Sequence, residues 1–235
     1  MPNCLTIRSY SKQKHSHAHD YHQLVLPVEG SIIIRVADFS GKVTVGECVV
    51  IRAGEEHQFS AEEAARFIVA DMDTLPISMT LAAFSVFSIT PPLLSYLFYV
   101  KAQLEFQVDS AMEQALLNMF YQLLERQTFH GRHDLRIHQV QSYIADHLAE
   151  NLTLDELAAI AYLSSTQFKK RFKQETGMTT FQYITQQRML KAKALLTHTD
   201  LPVHRIAESV GYQDLSAFSR RFSVHFGLSP RALAR

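Results

Sequence analysis

Two clusters of cationic and hydrogen-bonding side chains lie about fifty residues apart in this chain. The first holds Thr166, Lys169, Lys170 and Lys173; the second holds Leu215, Ser216, Ala217, Arg220 and Arg221. Lys and Arg can donate to guanine O6 and N7, Ser and Thr reach several base edges, and Ala or Leu can touch a thymine methyl. Lys173 and Arg221 suit phosphates, which position a protein on a duplex without reading its sequence. Thr166, Lys169 and Lys170 point away from Phe168 and Phe172, and the second cluster stands in the same relation to Phe218 and Phe222. The chemistry on offer is recognition of a nucleic acid by two separate surfaces.

The elements that must carry these clusters are themselves repeated. Leu154-x2-Leu157-Ala158-x2-Ala161-Tyr162-Leu163, Phe168-x2-Arg171-Phe172 and Gly177 return as Val203-x2-Ile206-Ala207-x2-Val210-Gly211-Tyr212, Phe218-x2-Arg221-Phe222 and Gly227. A repeat of this length means one supersecondary unit used twice. Each unit is two short amphipathic stretches joined by a tight turn, the layout of a helix-turn-helix whose second helix enters the major groove. Leu157, Ala161, Phe168 and Phe172, and Ile206, Val210, Phe218 and Phe222, supply a small core for each. Thr153-x-x-Glu156, Ser164-x-x-Gln167 and Thr179-x-x-Gln182 fit the capping box. Gly177 and Gly227 sit where a left-handed residue ends a helix, and Pro202 can open one. Residues 179–197 read as a rigid spacer between the two units.

Charge separates this helical part from what precedes it. Residues 1–134 carry 10 Lys and Arg against 15 Asp and Glu, a balance of −5; residues 135–235 carry 13 against 8, a balance of +5. A basic half beside an acidic half indicates that one half meets a polyanion. The 47 % hydrophobic content is that of a globular chain. Cys4 and Cys48 form no disulfide framework and are expected as small buried hydrophobes. The first residues lack the apolar run of a secretory signal, and the apolar stretch around 93–100 is about half a membrane span. The expectation is a cytoplasmic protein.

The N-terminal part reads as an all-β barrel or sandwich. Gln23–Val28, Ser31–Val36, Lys42–Val45, Cys48–Ile51 and Arg66–Ala70 are Val- and Ile-rich and punctuated by Gly30, Gly41, Gly46 and Gly54. Pro91-Pro92 opens a helix to about Leu104. A second helix spans 110–125, where Met112, Ala115, Leu116, Met119, Phe120, Leu123 and Leu124 form one stripe. That stripe either pairs two protomers or covers the barrel. Residues 128–134, polar and containing Gly131, read as a linker.

From about residue 140 to the end, two-fifths of the chain, the sequence resembles the double helix-turn-helix domain of the AraC/XylS transcription regulators. The resemblance rests on Leu154–Ala161, on Phe168-Lys169-Lys170-Arg171-Phe172-Lys173-x-Glu175-Thr176-Gly177, and on Arg188-x3-Ala192-x2-Leu195-Leu196. Ile206-Ala207, Val210-Gly211-Tyr212, Phe218-Ser219-Arg220-Arg221-Phe222 and Gly227-x-Ser229-Pro230 extend it. It implies that Thr166, Lys169, Lys170, Leu215, Ser216, Ala217 and Arg220 face bases, and that RNA polymerase is a partner. Arg205 departs from the acidic residue usual before Ile206-Ala207, which puts a local salt bridge in question.

A second resemblance lies in the first part. His17-x-His19-x3-Gln23-x6-Gly30, followed by Gly46-x5-Arg52-x-Gly54-x2-His57, is similar to the two cupin motifs, with His17, His19, Gln23 and His57 on the metal-ligand positions. Gln23 replaces the usual Glu, Arg52 the usual Pro and Ala61 the usual Asn. AraC/XylS regulators often carry a cupin-like barrel as sensor, so the two resemblances agree. Residues 17, 19 and 23 share parity, so on one extended strand they project to one face. With His57 they could hold one divalent ion, for which imidazole suits Zn, Cu, Ni or Fe(II). The other reading is an organic ligand pocket whose histidines hydrogen-bond.

The expected fold class is α+β: a cupin-like sensor over 1–105, a helical dimerisation and linker region over 106–134, and an all-α double helix-turn-helix over 135–235. The expected function is a one-component transcription regulator, homodimeric through 110–125, that binds operator DNA and responds to a small molecule or metal ion; no enzyme activity is expected. The alternative is a cupin metalloenzyme, an oxygenase or isomerase, using His17, His19, Gln23 and His57. A catalytic cupin has no need of a basic helical half.

Overall fold

A computed structural model describes residues 3–9, 15–37, 39–61, 65–80, 84–106, 108–127 and 134–234. Most of the 128–134 linker lies outside them. The chain divides into two compact units, Met1–Asp134 and Leu135–Arg235.

Among the described residues, nine strands build the first unit: β1 (Cys4–Arg8), β2 (His15–His17), β3 (His22–Glu29), β4 (Ser31–Val36), β5 (Phe39–Thr44), β6 (Glu47–Ile51), β7 (His57–Ala61), β8 (Arg66–Met72) and β9 (Val86–Ser88). They form two antiparallel sheets, in the orders β1-β8-β3-β6-β9 and β2-β7-β4-β5. The sheets do not close into a barrel, which corrects that expectation. Among the described residues, the chain changes sheet at short corners over 18–21, at Gly30 and at 45–46. Gly30, between β3 and β4, is one such corner, with φ +71° and no room for a side chain: a Cβ there would stand 2.9 Å from that of Ala65.

One core fills the space between the sheets. Val25, Val49, Ile51, Phe67 and Val69 come from the first, and Ile32, Ile34, Val36, Phe59 and Ala61 from the second. Strand β4 alternates, with Ile33 and Arg35 exposed between buried neighbours. Strands β3, β6 and β8 are buried on nearly every residue, because their other face is covered too. Helix α1 (Ile77–Thr80) is a single turn, and helix α2 (Pro91–Leu104) packs on β1, β3 and β8 through its buried Leu93, Leu94, Leu97 and Val100. Lys101 fastens its end, its ammonium 3.1 Å from Glu29 and 2.8 Å from Glu105. Burial alone would lower the Lys101 pKa; the bonds to Glu105 and Glu29 outweigh it and raise the value.

Helix α3 (Ser110–Glu125), capped by Asp109, packs on α2 and β1. It divides the apolar stripe between two roles. Leu116, Phe120 and Leu124 are buried, whereas Met112 and Met119 remain exposed, at 38 % and 52 %, with Ala115 between them. The helix covers the sheets with one edge and leaves the other uncovered.

Among the described residues, seven helices form the second unit: α4 (Leu135–Asp146), α5 (Leu154–Ile160), α6 (Ser165–Thr176), α7 (Thr180–His198), α8 (Val203–Ser209), α9 (Leu215–Phe226) and α10 (Pro230–Leu233). They enclose two cores. One joins α4, α5 and α6 to Tyr183 and Ile184 at the start of α7. The other joins α8 and α9 to Met189, Ala192 and Leu196 further along α7. All three capping boxes close, at Thr153, Ser164 and Thr179. Gly177 and Gly227 end α6 and α9 at φ +72° and +75°. Pro202 is itself the residue that precedes α8, not its first helical residue.

Candidate nucleic-acid interface and histidine cluster

Each repeat of the second unit places a twelve-residue helix after a tight turn. In the first, α5 stops at Ile160 and α6 starts at Ser165; in the second, α8 stops at Ser209 and α9 starts at Leu215. Phe168 and Phe172, and Phe218 and Phe222, are fully buried and fix which face of each helix turns outward. That outward face of α6 exposes Thr166, Lys169, Lys170 and Lys173. On α9 it exposes Ser216, Arg220 and Arg221, with Ala217 half-buried and Leu215 at 41 % exposure. None of these Lys and Arg side chains takes part in an ion pair among the described residues, so all five remain available to phosphate or base edges.

The geometry adds residues that the sequence reading missed. Val224 is 77 % exposed and lies one turn beyond Arg220 on the same face; Gln174 occupies the corresponding place after Lys170. The fifty-residue offset together with helical spacing was the available signal. Tyr162, 85 % exposed, takes a left-handed backbone with φ +53° at the turn where the second repeat has Gly211. Arg205 pairs with Glu208 in its own helix at 3.1 Å, so α8 keeps an ion pair despite the departure noted above.

Residues 157–235 match the family model described as a helix-turn-helix domain. These residues form an AraC-type DNA-binding domain of transcription regulation. Over most of its length the chain is similar to a probable transcriptional regulator, LumQ, of Photobacterium leiognathi, with 29 % identity covering 95 % of this chain and 93 % of the relative. It is similar to the transcriptional activator RhaS of Klebsiella pneumoniae, at 27 % identity over 92 % of this chain and 85 % of that protein. Among solved structures, the C-terminal domain of AraT, a response regulator from Geobacillus stearothermophilus, is 35 % identical over 42 % of this chain and 82 % of its own, with a TM-score of 0.40. Outside the AraC-type domain, no described helix is long and apolar enough to cross a membrane, nor is any within it.

The first unit brings His17, His19 and His57 together. His17 ends β2 directly opposite His57 on β7, and His19 follows in the bend that leads to β3. One ring nitrogen from each of the three lies within 4.8 Å of the others. His17 Nε2 and His57 Nε2 are 3.1 Å apart. His19 Nδ1 is 2.7 Å from the carbonyl of Tyr21, and His57 Nδ1 is 3.3 Å from that of Glu55. A carbonyl can only accept, so each Nδ1 carries the proton and each Nε2 presents a lone pair. The His19 Nε2 is buried without a hydrogen-bond partner. Burial, then the neighbouring His17 and His19, pull the His57 pKa below its ordinary value despite the Glu55 carbonyl, which favours the neutral ring a ligand needs.

Gln23 is placed differently from the single-strand expectation. Residues 17 and 23 lie in different sheets, because the chain crosses from one to the other through the bend at 18–21. Shared parity on one strand therefore does not describe them. Gln23 is buried, and its amide donates to Asp71 Oδ1 at 2.7 Å, while Arg8 holds the other oxygen of that carboxylate. Arg52 binds the Phe84 carbonyl and pairs with Glu55, and Ala61 belongs to the core. Cys48 is buried, with its thiol pushed well above the ordinary value by desolvation, and Cys4 is half-buried; both are free thiols.

Proposed function

We propose that this protein is a one-component transcription regulator in which α6 and α9 read two successive major grooves and the first unit carries the effector site. The observation that supports this best is the pair of capped, similarly built helices, each exposing unpaired cations opposite a buried Phe pair. Helices so held lose little further freedom on binding, and the basic balance of residues 135–235 favours the polyanion. The test is an electrophoretic shift on duplex DNA from upstream of its own coding sequence, over a range of salt. Sequence-dependent binding that weakens steeply with salt supports the reading. Binding that is equal on all duplexes sinks it.

The effector reading we favour is a divalent transition-metal ion held by His17, His19 and His57. Three convergent imidazoles fit such an ion: carbonyls orient His19 and His57, and His19 also keeps its buried Nε2 without a hydrogen-bond partner. Bound there, the ion would tie β2 to β7 and to the bend at 18–21. Gln23, held by Asp71, would adjust the surroundings. Metal analysis of wild type and His57→Ala checks this: a stoichiometric ion in the first and none in the second is expected. Metal-free wild type whose DNA binding ignores added zinc, nickel, copper and iron(II) would instead make the cluster part of an organic-ligand pocket.

A homodimer through the exposed edge of α3 completes the proposal. Met112 and Met119 give adaptable apolar area beside Ala115. Met112→Lys with Met119→Lys should yield folded monomer by light scattering, since neither side chain belongs to the core. A dimer that survives both changes pairs elsewhere.

A further inference from the structure

The two halves of the DNA-binding unit have separate cores, and helix packing runs within each half and through α7. A helix shared by two cores fixes their distance along its axis but resists twist and bend only through its own stiffness. Something must hold one half against the other if α6 and α9 are to keep a fixed geometry. Arg188 stands on α7 between Ile184, which serves the first core, and Met189, which serves the second.

Its guanidinium touches both halves. Toward the first, Nε donates to the Leu148 carbonyl at 2.9 Å and Nη2 to the Glu150 carbonyl at 2.7 Å, both in the loop between α4 and α5. Toward the second, it abuts the turn that precedes α9. A Cβ on Gly211 would meet Leu148 O at 2.7 Å, Arg188 Nη2 at 2.8 Å and Arg188 Cζ at 2.9 Å. The Tyr212 ring lies 6.0 Å from Cζ, the range of a cation–π contact. Gly211 also has φ +82°, so a side chain is excluded there by backbone and by space. The corresponding turn of the first repeat bears the exposed Tyr162 and meets no such partner surface. The contact is thus a property of how the halves join and not of the repeat itself.

We propose that Arg188 is the positioning residue that sets the half-site spacing this protein accepts, by locking the α4–α5 loop to the turn before α9. The inference rests on α6 and α9 both reading DNA. One added base pair moves a half-site by about 3.4 Å along the duplex and turns it about its axis. A locked pair of helices cannot follow; an unlocked pair follows in part. A lysine in place of Arg188 loses the planar fork that serves two carbonyls and a ring face together.

The experiment begins with duplexes selected from a randomised library by the full-length wild type. One base pair is then inserted or deleted between the two contacted segments, and affinities are measured at one salt concentration. The wild type is expected to lose about tenfold or more on either mis-spaced duplex. Arg188→Lys should bind the selected duplex several-fold more weakly, while its penalty for wrong spacing shrinks to about threefold or less. Should that variant fail to fold by circular dichroism, Tyr212→Leu replaces it and should narrow the penalty in the same direction. Equal proportional loss on all three duplexes would mean that Arg188 supports stability alone, and would overturn the proposal. A wild type indifferent to spacing would instead overturn the two-helix reading beneath it.

Discussion

Helices α6 and α9 have the same length, buried Phe pair and left-handed glycine stop, yet they present different chemistry. The exposed side of α6 carries Lys169, Lys170 and Lys173, with Arg171 at the place of Arg221; that of α9 combines Ser216, Arg220 and Arg221 with the exposed Leu215 and Val224. Ammonium groups are point charges on flexible stems, whereas a guanidinium fork matches guanine edges and aliphatic groups match thymine methyls. The comparison teaches that two copies of one scaffold can divide the work. The first half should supply more of the salt-dependent affinity, and the second more of the sequence preference.

The largest effects should come from the cores, and they should stay local. Phe172→Ala and Phe222→Ala each remove a fully buried ring, at a cost of about 3–5 kcal/mol. Because the cores are separate, hydrogen exchange should rise mainly in α4–α6 for the first and mainly in α8–α9 for the second. Uniform loss of protection in both variants would show that the halves fold as one unit.

Substitutions on the two reading faces should follow in size. Arg220→Ala should cost about 1–3 kcal/mol on the selected duplex and relax preference at particular base pairs. Lys173→Ala should weaken all sequences alike and lower the slope of log affinity against log salt by about 0.9, the value of one phosphate contact. If Arg220→Ala changed only the salt slope, and Lys173→Ala only the preference, the division between the helices would be reversed.

Smaller still is a difference in capping. The first half begins α5 and α6 with reciprocal boxes, whereas the second has no side-chain cap on α8 and a single Asp214 bond on α9. Thr153→Ala should cost about 1 kcal/mol. The Thr153 hydroxyl and backbone N–H hold the Glu156 carboxyl below its ordinary pKa. A carboxyl depressed on folding adds stability above its unfolded pKa, and that stability is lost as pH falls through the folded value. Acid titration should therefore loosen α5 at the low end of the carboxylate range, and Glu156→Gln should blunt that response. An unchanged acid response in Glu156→Gln would assign it to other carboxylates.

The legibility of these features follows from how local their causes are. The second unit could be read nearly residue by residue, because caps, helical stripes and stop glycines act within a few positions: Thr153, Ser164, Thr179, Gly177 and Gly227 all do what their types dictate. The long strands β3, β4, β6 and β8 were legible from their apolar runs. Strands β2, β7 and β9 were not, because HSH, HQFSA and VFS carry little β signal and are fixed by partners far along the chain. The same non-locality hid Asp71, the partner of Gln23, which is brought opposite it by β8 pairing with β3. Arg188 was visible only as part of a motif; its two carbonyls and the turn at Gly211 are set by tertiary contact.

The central claim is that two helices of one chain engage one face of DNA together. Hydroxyl-radical footprinting of the full-length protein on a selected duplex tests it most directly. Each bound protomer is expected to leave two protected windows, centred about 10 base pairs, or roughly 34 Å, apart on the same face, with Lys170→Ala weakening one window and Arg220→Ala the other. A single window per protomer, unaltered in extent by either substitution, would contradict the account.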